Sequence, residues 1–402
     1  MGLVVQKFGG SSVATIERIK NVAARVMRER DQGNQVVVVV SAMGDLTDDL
    51  ISLADQTGKV KPDREMDMLL TTGEQQSAAL LSMTLHNLGC PAISLTGWQS
   101  GIMTDPVHAK AKIAGIKPDR IIEELAQGKV VVVAGFQGIS PGGDLTTLGR
   151  GGSDTTAVAL AAVLKADVCD IYTDVDGVFT ADPRIVKEAR KLDIISYDEM
   201  LELASLGAGV LQPRAVEFAM HYNVTVQVRS SFNLEPGTQV VEVGKMESDR
   251  VVSGVAHDLN VAKVALFDVP DRPGVAQAIF KALAEVNINV DMIVQAAMRD
   301  ERNDIAFTIS KDDLPKALPV VERVCREIGA SGTAYGEDLA KVSIVGAGMM
   351  SNPGVAAAMF ETLAEEGINI HMISTSEIKV SCIVNASEIE KAVKAIHSRF
   401  NL

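Results

Sequence analysis

Short β-branched runs alternate with helical patterns over the first half of the chain. Leu3–Gln6, Gln35–Val40, Val130–Ala134, Val168–Tyr172 and Val224–Val228 are apolar on successive positions and predict strands buried on both faces. Between the first two, Ile16, Ile19, Val22, Ala23, Val26 and Met27 recur at helical spacing, with Thr15 placed to cap the helix. Thr72–Leu88, Asp154–Lys165 and Pro213–Asn223 carry the same period, and Pro213 suits a first turn, where its missing N–H does no harm. The alternation predicts a mostly parallel α/β sheet covered by helices on both faces, with ligands beyond the C-terminal strand ends.

The pattern then changes. Asn233–Gly237 and Gly244–Asp249 are polar and turn-rich, as a linker would be. Beyond them lies a repeat. Pro273-Gly274-Val275 recurs 80 residues on as Pro353-Gly354-Val355, and Phe280, Leu283-Ala284-Glu285, Ile288-Asn289 and Met292-Ile293 recur at the same offset. Each copy reads as strand, loop, helix, strand, with more strand signal behind it, which predicts two α+β modules of βαββαβ type.

The chain has 402 residues, room for two or three domains. Lys and Arg number 38 against 52 Asp and Glu, a net charge of −14 that leaves no basic surplus for a general nucleic-acid binder. Cys90, Cys169, Cys325 and Cys382 lie far apart with no C-x-x-C pair and no His at metal spacing, so no metal site is expected and the usage fits a reducing compartment. The segment MGLVVQKFGG has no basic region ahead of an apolar stretch, which argues against a signal peptide, and Gln6 stands where myristoylation needs Ser or Thr. The longest apolar runs fall short of the ~18 residues of a membrane span. The expectation is a cytoplasmic protein acting on small molecules, with neither nucleic acid nor membrane as partner.

Several loops could carry chemistry. Lys7-Phe8-Gly9-Gly10-Ser11-Ser12 lies between the first strand and the first helix. Its glycines let the backbone approach an anion, although G-x-x-x-x-G-K-S/T is absent and a plain strand–helix turn reads the same way. Leu148–Asp154 is a second glycine-rich helix start, where Arg150 offers a fork for a carboxylate or phosphate; Asp154 could equally be an N-cap and Arg150 a surface residue. Two such loops on one sheet point to a shared anion site. Thr173–Arg184 is dense in acidic and turn-forming residues but lacks the closing Glu of an EF-hand, leaving a structured loop or a nucleotide contact. Glu74 follows Thr71-Thr72-Gly73 at an expected helix start, where capping alone would explain a carboxylate. Gly346-Ala347-Gly348 is not a dinucleotide fingerprint, because Ser351 stands where the third small residue belongs.

Together these segments resemble the aspartokinases of the amino-acid kinase family. The resemblance rests on KFGGSSV at Lys7–Val13, VVVVSAMGD at Val37–Asp45, TTGEQ at Thr71–Gln75, VAGFQG at Val133–Gly138, TTLGRGGSDTTA at Thr146–Ala157 and YTDVDGVFTADPR at Tyr172–Arg184. The tandem repeat is similar to the paired ACT domains of that family, as is STSEIKVS at Ser374–Ser381. The resemblance implies a kinase domain over residues 1–230, a linker over 231–249, a first ACT domain over 262–338, and a second built from 250–261 with 339–402. It implies transfer of the ATP γ-phosphoryl group to the β-carboxylate of L-aspartate, at the head of lysine, threonine and methionine biosynthesis, with Mg²⁺ carried mainly by the nucleotide. Lys7, Phe8, Gly9 and Gly10 would hold phosphates. Arg150, with Gly151 and Gly152, would clamp the α-carboxylate of aspartate, and Glu74 would pair with its ammonium group. Ser41, Thr47 and Ser153 would complete the pocket, Asp154 would orient Lys7, and Thr173, Asp174, Phe179, Thr180, Ala181, Asp182, Pro183 and Arg184 would surround ATP.

The same resemblance makes the ACT pair a sensor of lysine, threonine or both. Asp271, Gly274, Asn289, Val290, Asp291 and Gln295 would serve the first effector site, and Val355, Ala356, Asn369, Ile370, Ser376 and Glu377 the second. Asn289 and Asn369 could instead only shape a turn. Residues 251–258 would donate a strand to the second module, and pairing of ACT sheet edges would give a homodimer or higher oligomer. The sequence departs from the family at Gly209, where many relatives carry a nucleotide-binding Lys; Arg214 is the candidate substitute. Phe179 replaces the commoner Tyr. A kinase of glutamate or acetylglutamate is disfavoured by Glu74, Arg150 and the ACT tail. A catalytically silent ACT-based sensor is favoured by Gly209 alone.

Overall fold

The computed structural model describes residues 2–207, 209–242, 251–296 and 301–402. The chain divides into two compact units, the first reaching Val178 and resuming at Lys191–Ser205 and from Gly209, the second holding Phe179–Arg190 and the residues from Val251 on. The expected linker over 231–249 is corrected in its first part, because Thr238–Val241 form a strand of the first unit's sheet; 243–249 lie outside the described residues.

The first unit runs β1 (Leu3–Phe8), α1 (Ile16–Asp31), β2 (Gln35–Val40), α2 (Leu46–Thr57), α3 (Asp63–Asn87), β3 (Ala92–Leu95), β4 (Ile102–Thr104), β5 (Ile113–Ile116) and α4 (Asp119–Ala126). It continues with β6 (Val130–Ala134), β7 (Gln137–Ile139), β8 (Leu145–Thr147), α5 (Gly152–Leu164), β9 (Val168–Thr173), β10 (Ile194–Ser196), α6 (Tyr197–Ser205), α7 (Pro213–Tyr222), β11 (Val226–Ser230) and β12 (Thr238–Val241). Eight strands form one sheet in the order β10-β12-β11-β9-β1-β2-β6-β3, and only β11 with β12 is antiparallel. Val36–Val40 and Val130–Ala134 are buried along their whole length, as strands covered on both faces must be. Ile19, Val22, Ala23 and Val26 of α1 bury against them, and Thr15 caps α1 by accepting from the Arg18 amide at 3.2 Å. A second sheet, β5-β4-β7-β8, is built from strands of three or four residues, too short to leave a periodic signal.

Helix α3 begins nine residues before the expected start, at Asp63 rather than Thr72. Gly73 reads as a boundary because glycine weakens a helix interior. Here it serves close packing: a Cβ at Gly73 would lie 2.9 Å from the Ala42 Cβ. Glu74 therefore sits in mid-helix, and the capping explanation for its carboxylate falls away.

The second unit runs β13 (Gly254–Pro270), α8 (Val275–Glu285), β14 (Val290–Gln295), β15 (Arg302–Ser310), α9 (Leu314–Ile328), β16 (Gly332–Val345), α10 (Val355–Glu365), β17 (Met372–Thr375), β18 (Lys379–Asn385) and α11 (Ile389–Arg399). Its sheet, β14-β15-β13-β16-β18-β17, is antiparallel throughout. The first part of β13, Gly254–Asp258, pairs with Lys341–Val345 at the end of β16, and the later part pairs with its start, after register shifts between Asp258 and Lys263. Residues 254–258 thus add a strand beside the second copy of the repeat. The copies match down to single dihedrals, since Gly274 and Gly354 both hold φ 96° at the N-caps of α8 and α10. No atom lies within 4 Å of a Cβ on either, so the left-handed backbone rather than crowding calls for glycine.

The excursion Phe179–Arg190 is part of this unit's core. The Val255 amide donates to Thr180 O at 2.7 Å, and Ala181 and Val186 pack in one cluster with Val342, Ile344, Leu363 and Ile396. No helix among the described residues is long and apolar enough to cross a membrane.

Candidate active site

Strand alternation sends Phe8 of β1 into the core beneath α1 and Lys7 to the opposite face, toward α5. There Lys7 Nζ lies 2.6 Å from Asp154 Oδ1, with the side chains 12% and 10% exposed. The contact is an ion pair between two largely buried charged groups. Asp154 stands in the first turn of α5 behind Gly151, which takes φ 67° and passes so close to Gln212 that a side chain there would collide. On the far side of β1, the Phe8 ring stacks on Tyr172 at 4.6 Å, so only its main chain borders the glycine loop.

Neighbouring strand ends complete the arrangement. Gly10 meets the loop after β2, where a Cβ would lie 3.0 Å from Ala42 O and 3.1 Å from Gly44 O. The Ser41 amide donates to Phe8 O at 3.1 Å, and Thr47 is half-buried in the first turn of α2. Ser153 is buried against the end of β6, 2.8 Å from where a Gly135 Cβ would stand. Glu74 is buried; its Oε1 accepts from the Ala42 amide at 3.2 Å, while Oε2 has no partner. Burial pushes the carboxyl up to about 7, against the opposing pull of backbone hydrogen bonds. Arg150 is exposed and has no carboxylate within ion-pair distance among the described residues. Lys7, Gly9, Gly10, Ser41, Glu74, Ser153 and Asp154 thus gather at the adjacent ends of β1, β2 and β6. The Gly9 amide is spent on Tyr172 O at 3.3 Å, which leaves the Lys7 ammonium, the Gly10 amide and the unpartnered Glu74 oxygen, a set that suits a ligand with several anionic groups and one ammonium.

Asp67 and His108 give no signal in the sequence. Asp67 is fully buried on α3, two turns before Glu74 on the same face, and its carboxylate accepts from Thr147 Oγ1 at 2.5 Å and from the Ala109 amide at 3.1 Å. His108 Nδ1 lies 2.7 Å from the same group. These bonds fasten the 105–112 loop and the strand leading to Arg150. Arg214 secures the same region by donating to Leu148 O at 2.7 Å and Ala111 O at 3.1 Å. Two of its donors are engaged there. Gly209 itself has φ 67°.

At the end of β9, Thr173 Oγ1 donates to Asp174 Oδ1 at 3.1 Å, and Asp174 is exposed. From Phe179 on, the residues of that motif belong to the second unit. Thr180 is buried with its hydroxyl 2.9 Å from His397 Nε2, and Ala181 is in the core. Phe179 is half-buried and Pro183 exposed, and Arg184 forks onto Asp182 at 2.7 Å, which holds the Asp182 carboxyl below its usual value.

Within the repeat, Asp271, Gly274 and Gln295 line one cavity of about 320 Å³, together with Arg272 and Val275. Asn303 also lines it, buried and with Oδ1 unpartnered, a residue the repeat comparison does not reveal because its offset partner is not asparagine. Asp291 is held in an ion pair with the buried Lys341 at 2.6 Å. Asn289 and Val290 lie at the start of β14. In the second copy, Val355 and Ala356 open α10, Asn369 and Ile370 precede β17, and Ser376 and Glu377 follow it, the Ser376 amide donating to Lys379 O at 2.8 Å.

The profile of the amino acid kinase family matches residues 2–230, and ACT-domain profiles match residues 263–326 and 342–400. An aspartokinase of Bacillus sp. strain MGA3 is 57% identical over all of this chain and 98% of its own. One from Mycolicibacterium smegmatis is 53% identical over all of this chain and 97% of its own. Among solved structures, E. coli aspartokinase III in complex with aspartate and ADP superposes with a TM-score of 0.85 at 26% identity, covering 100% of both chains. The same enzyme in complex with lysine and aspartate gives 0.75 at 26% identity, over 99% of each. This chain belongs to the aspartokinases of the amino acid kinase family, with two C-terminal ACT domains.

Proposed function

We propose that this chain transfers the γ-phosphoryl group of ATP to the β-carboxylate of L-aspartate, opening lysine, threonine and methionine biosynthesis in the cytoplasm. The carrying observation is the pairing, on adjacent strand ends, of the Lys7–Asp154 ion pair with the half-satisfied buried carboxylate of Glu74. The acceptor carboxylate is already ionised at neutral pH, so the reaction needs no general base. Catalysis consists of holding two anions together and stabilising charge on the transferring group. Lys7 and the Gly10 amide would bind phosphate oxygens, while the Gly9 amide, which donates to Tyr172 O, holds the loop against β9. Asp154 positions Lys7, Arg150 receives the α-carboxylate, and Glu74 Oε2 receives the ammonium group, with Ser41, Thr47 and Ser153 around them. Thr173, Asp174 and Phe179–Arg184 take the nucleotide. Mg²⁺ accompanies ATP, carried mainly by the nucleotide, since this hard cation favours oxygen ligands and usually keeps several waters.

The ACT pair reads lysine, threonine or both. The 320 Å³ cavity supports this, because Asp271 and the unpartnered Asn303 Oδ1 suit an ammonium group and Arg272 a carboxylate. Edge pairing of ACT sheets would join chains into a dimer or larger oligomer. The test incubates the protein with Mg-ATP and L-aspartate, traps acyl phosphate as hydroxamate, and titrates lysine and threonine singly and together. Hydroxamate that requires aspartate and not glutamate supports the reading. Its absence at saturating substrates would favour a silent sensor.

A further inference from the structure

The face of the large sheet away from Lys7 carries a second concentration of positive charge. Arg18, Arg25 and Arg28 project from α1 into a cavity of about 370 Å³, closed on the other side by Ser231–Leu234. None of the three has a carboxylate within ion-pair distance among the described residues, although the chain carries 52 acidic residues against 38 basic ones. Uncompensated arginines are costly to gather, since like charges repel and lose hydration when crowded.

Two of them are pre-oriented by neutral partners. Arg18 donates to Ser11 O and lies over the Phe232 ring at 5.1 Å. Arg25 donates to Asn233 O at 2.5 Å and Ser231 O at 3.3 Å, and lies over Tyr172 at 4.6 Å. Carbonyls and ring faces fix the guanidinium planes without cancelling their charge, and each fork keeps unspent N–H donors. Arg28 is exposed and completes the rim. Phe232, 55% exposed, supplies an apolar wall that the fold does not need for its core.

We infer that this cavity is a binding site for a phosphate dianion, free or carried as a monoester on a flat ring, separate from the phosphate loop of the catalytic face. Three convergent forks match a tetrahedral dianion, whose charge a single carboxylate would not balance. The ring of an ester would lie against Phe232. Arg18 also ties the site to the glycine loop through Ser11 O, so occupancy would be felt at Gly9 and Gly10.

The experiment titrates inorganic phosphate and phenyl phosphate into the full-length chain by calorimetry, in parallel with Lys7→Ala, Arg28→Gln and Phe232→Ala, each verified as folded by circular dichroism. The expected result is one site for each probe that survives Lys7→Ala and weakens about tenfold in Arg28→Gln, the size of one lost charge-assisted contact. Phenyl phosphate should bind tighter than phosphate, and Phe232→Ala should remove that difference; equal affinities would assign the site to free phosphate instead of an ester. Binding lost in Lys7→Ala but kept in Arg28→Gln would place phosphate at the catalytic loop and overturn the inference. Absence of binding would overturn it as well. Both results are independent of whether aspartate is the phosphoryl acceptor.

Discussion

Asp154 Oδ1 stands 2.6 Å from Lys7 Nζ across the join between α5 and β1. The carboxylate fixes the direction of the ammonium group through one donor and leaves the other two available to phosphate oxygens. Replacing Lys7 by Ala should lower kcat by about a hundredfold or more, as loss of a charge-stabilising donor does, and leave lysine or threonine binding unchanged. Hydroxamate assays and calorimetry on the same preparation measure both. Turnover at the original rate would remove Lys7 from the mechanism.

Glu74 predicts a pH dependence with a definite sign. Its carboxyl titrates near 7 in the folded protein instead of 4.5, so it becomes neutral as pH falls below about 7 and no longer attracts an ammonium group. KM for aspartate should rise by about tenfold per pH unit below that point, and Glu74→Gln should flatten the profile at a high KM. For the free protein the raised value acts in the other sense. The stability Glu74 contributes is complete below 4.5 and is lost as pH rises through about 7. Denaturant melts of the wild type and Glu74→Gln over this range should diverge accordingly.

Asp67 receives the Thr147 hydroxyl and the Ala109 amide in full burial. Asp67→Asn keeps the shape but removes the charge and one acceptor, at a cost of about 1–3 kcal/mol. Because the bonds end beside Arg150, KM for aspartate should rise while KM for ATP stays near its original value. A parallel rise in both would assign Asp67 to general stability.

Asn303 tests the effector reading. Asn303→Leu removes an unpartnered buried acceptor, so the free protein should gain about 1 kcal/mol in a urea melt. Inhibition by lysine or threonine should weaken at least about tenfold with basal turnover unchanged, since hydrogen-bonded recognition is lost. Unaltered inhibition would move the effector elsewhere.

What the sequence reveals follows from the range of each interaction. The valine-rich strands Val36–Val40 and Val130–Ala134, the Thr15 cap and the paired glycines 274 and 354 are set by near neighbours or by burial on both faces, and the pattern displays them. The small four-stranded sheet, the true start of α3 and the roles of Asp67 and Asn303 depend on partners 40 to 80 residues away or in another strand. Gly73 shows the difference well. Locally it argues for a helix end; in the fold it is what allows α3 to lie against Ala42 and bring Glu74 inside.

The excursion Phe179–Arg190 limits how this chain can be dissected. A fragment cut near residue 230 would keep Ala181 and Val186 but leave them without the cluster that covers them. A separately made piece beginning near Met246, a residue outside those described, would have the converse defect: an apolar gap beside Val342 and Leu363, and His397 without its Thr180 hydroxyl. The boundary drawn by a linear reading is therefore not a clean cleavage point, because a cut there exposes apolar surface on both pieces.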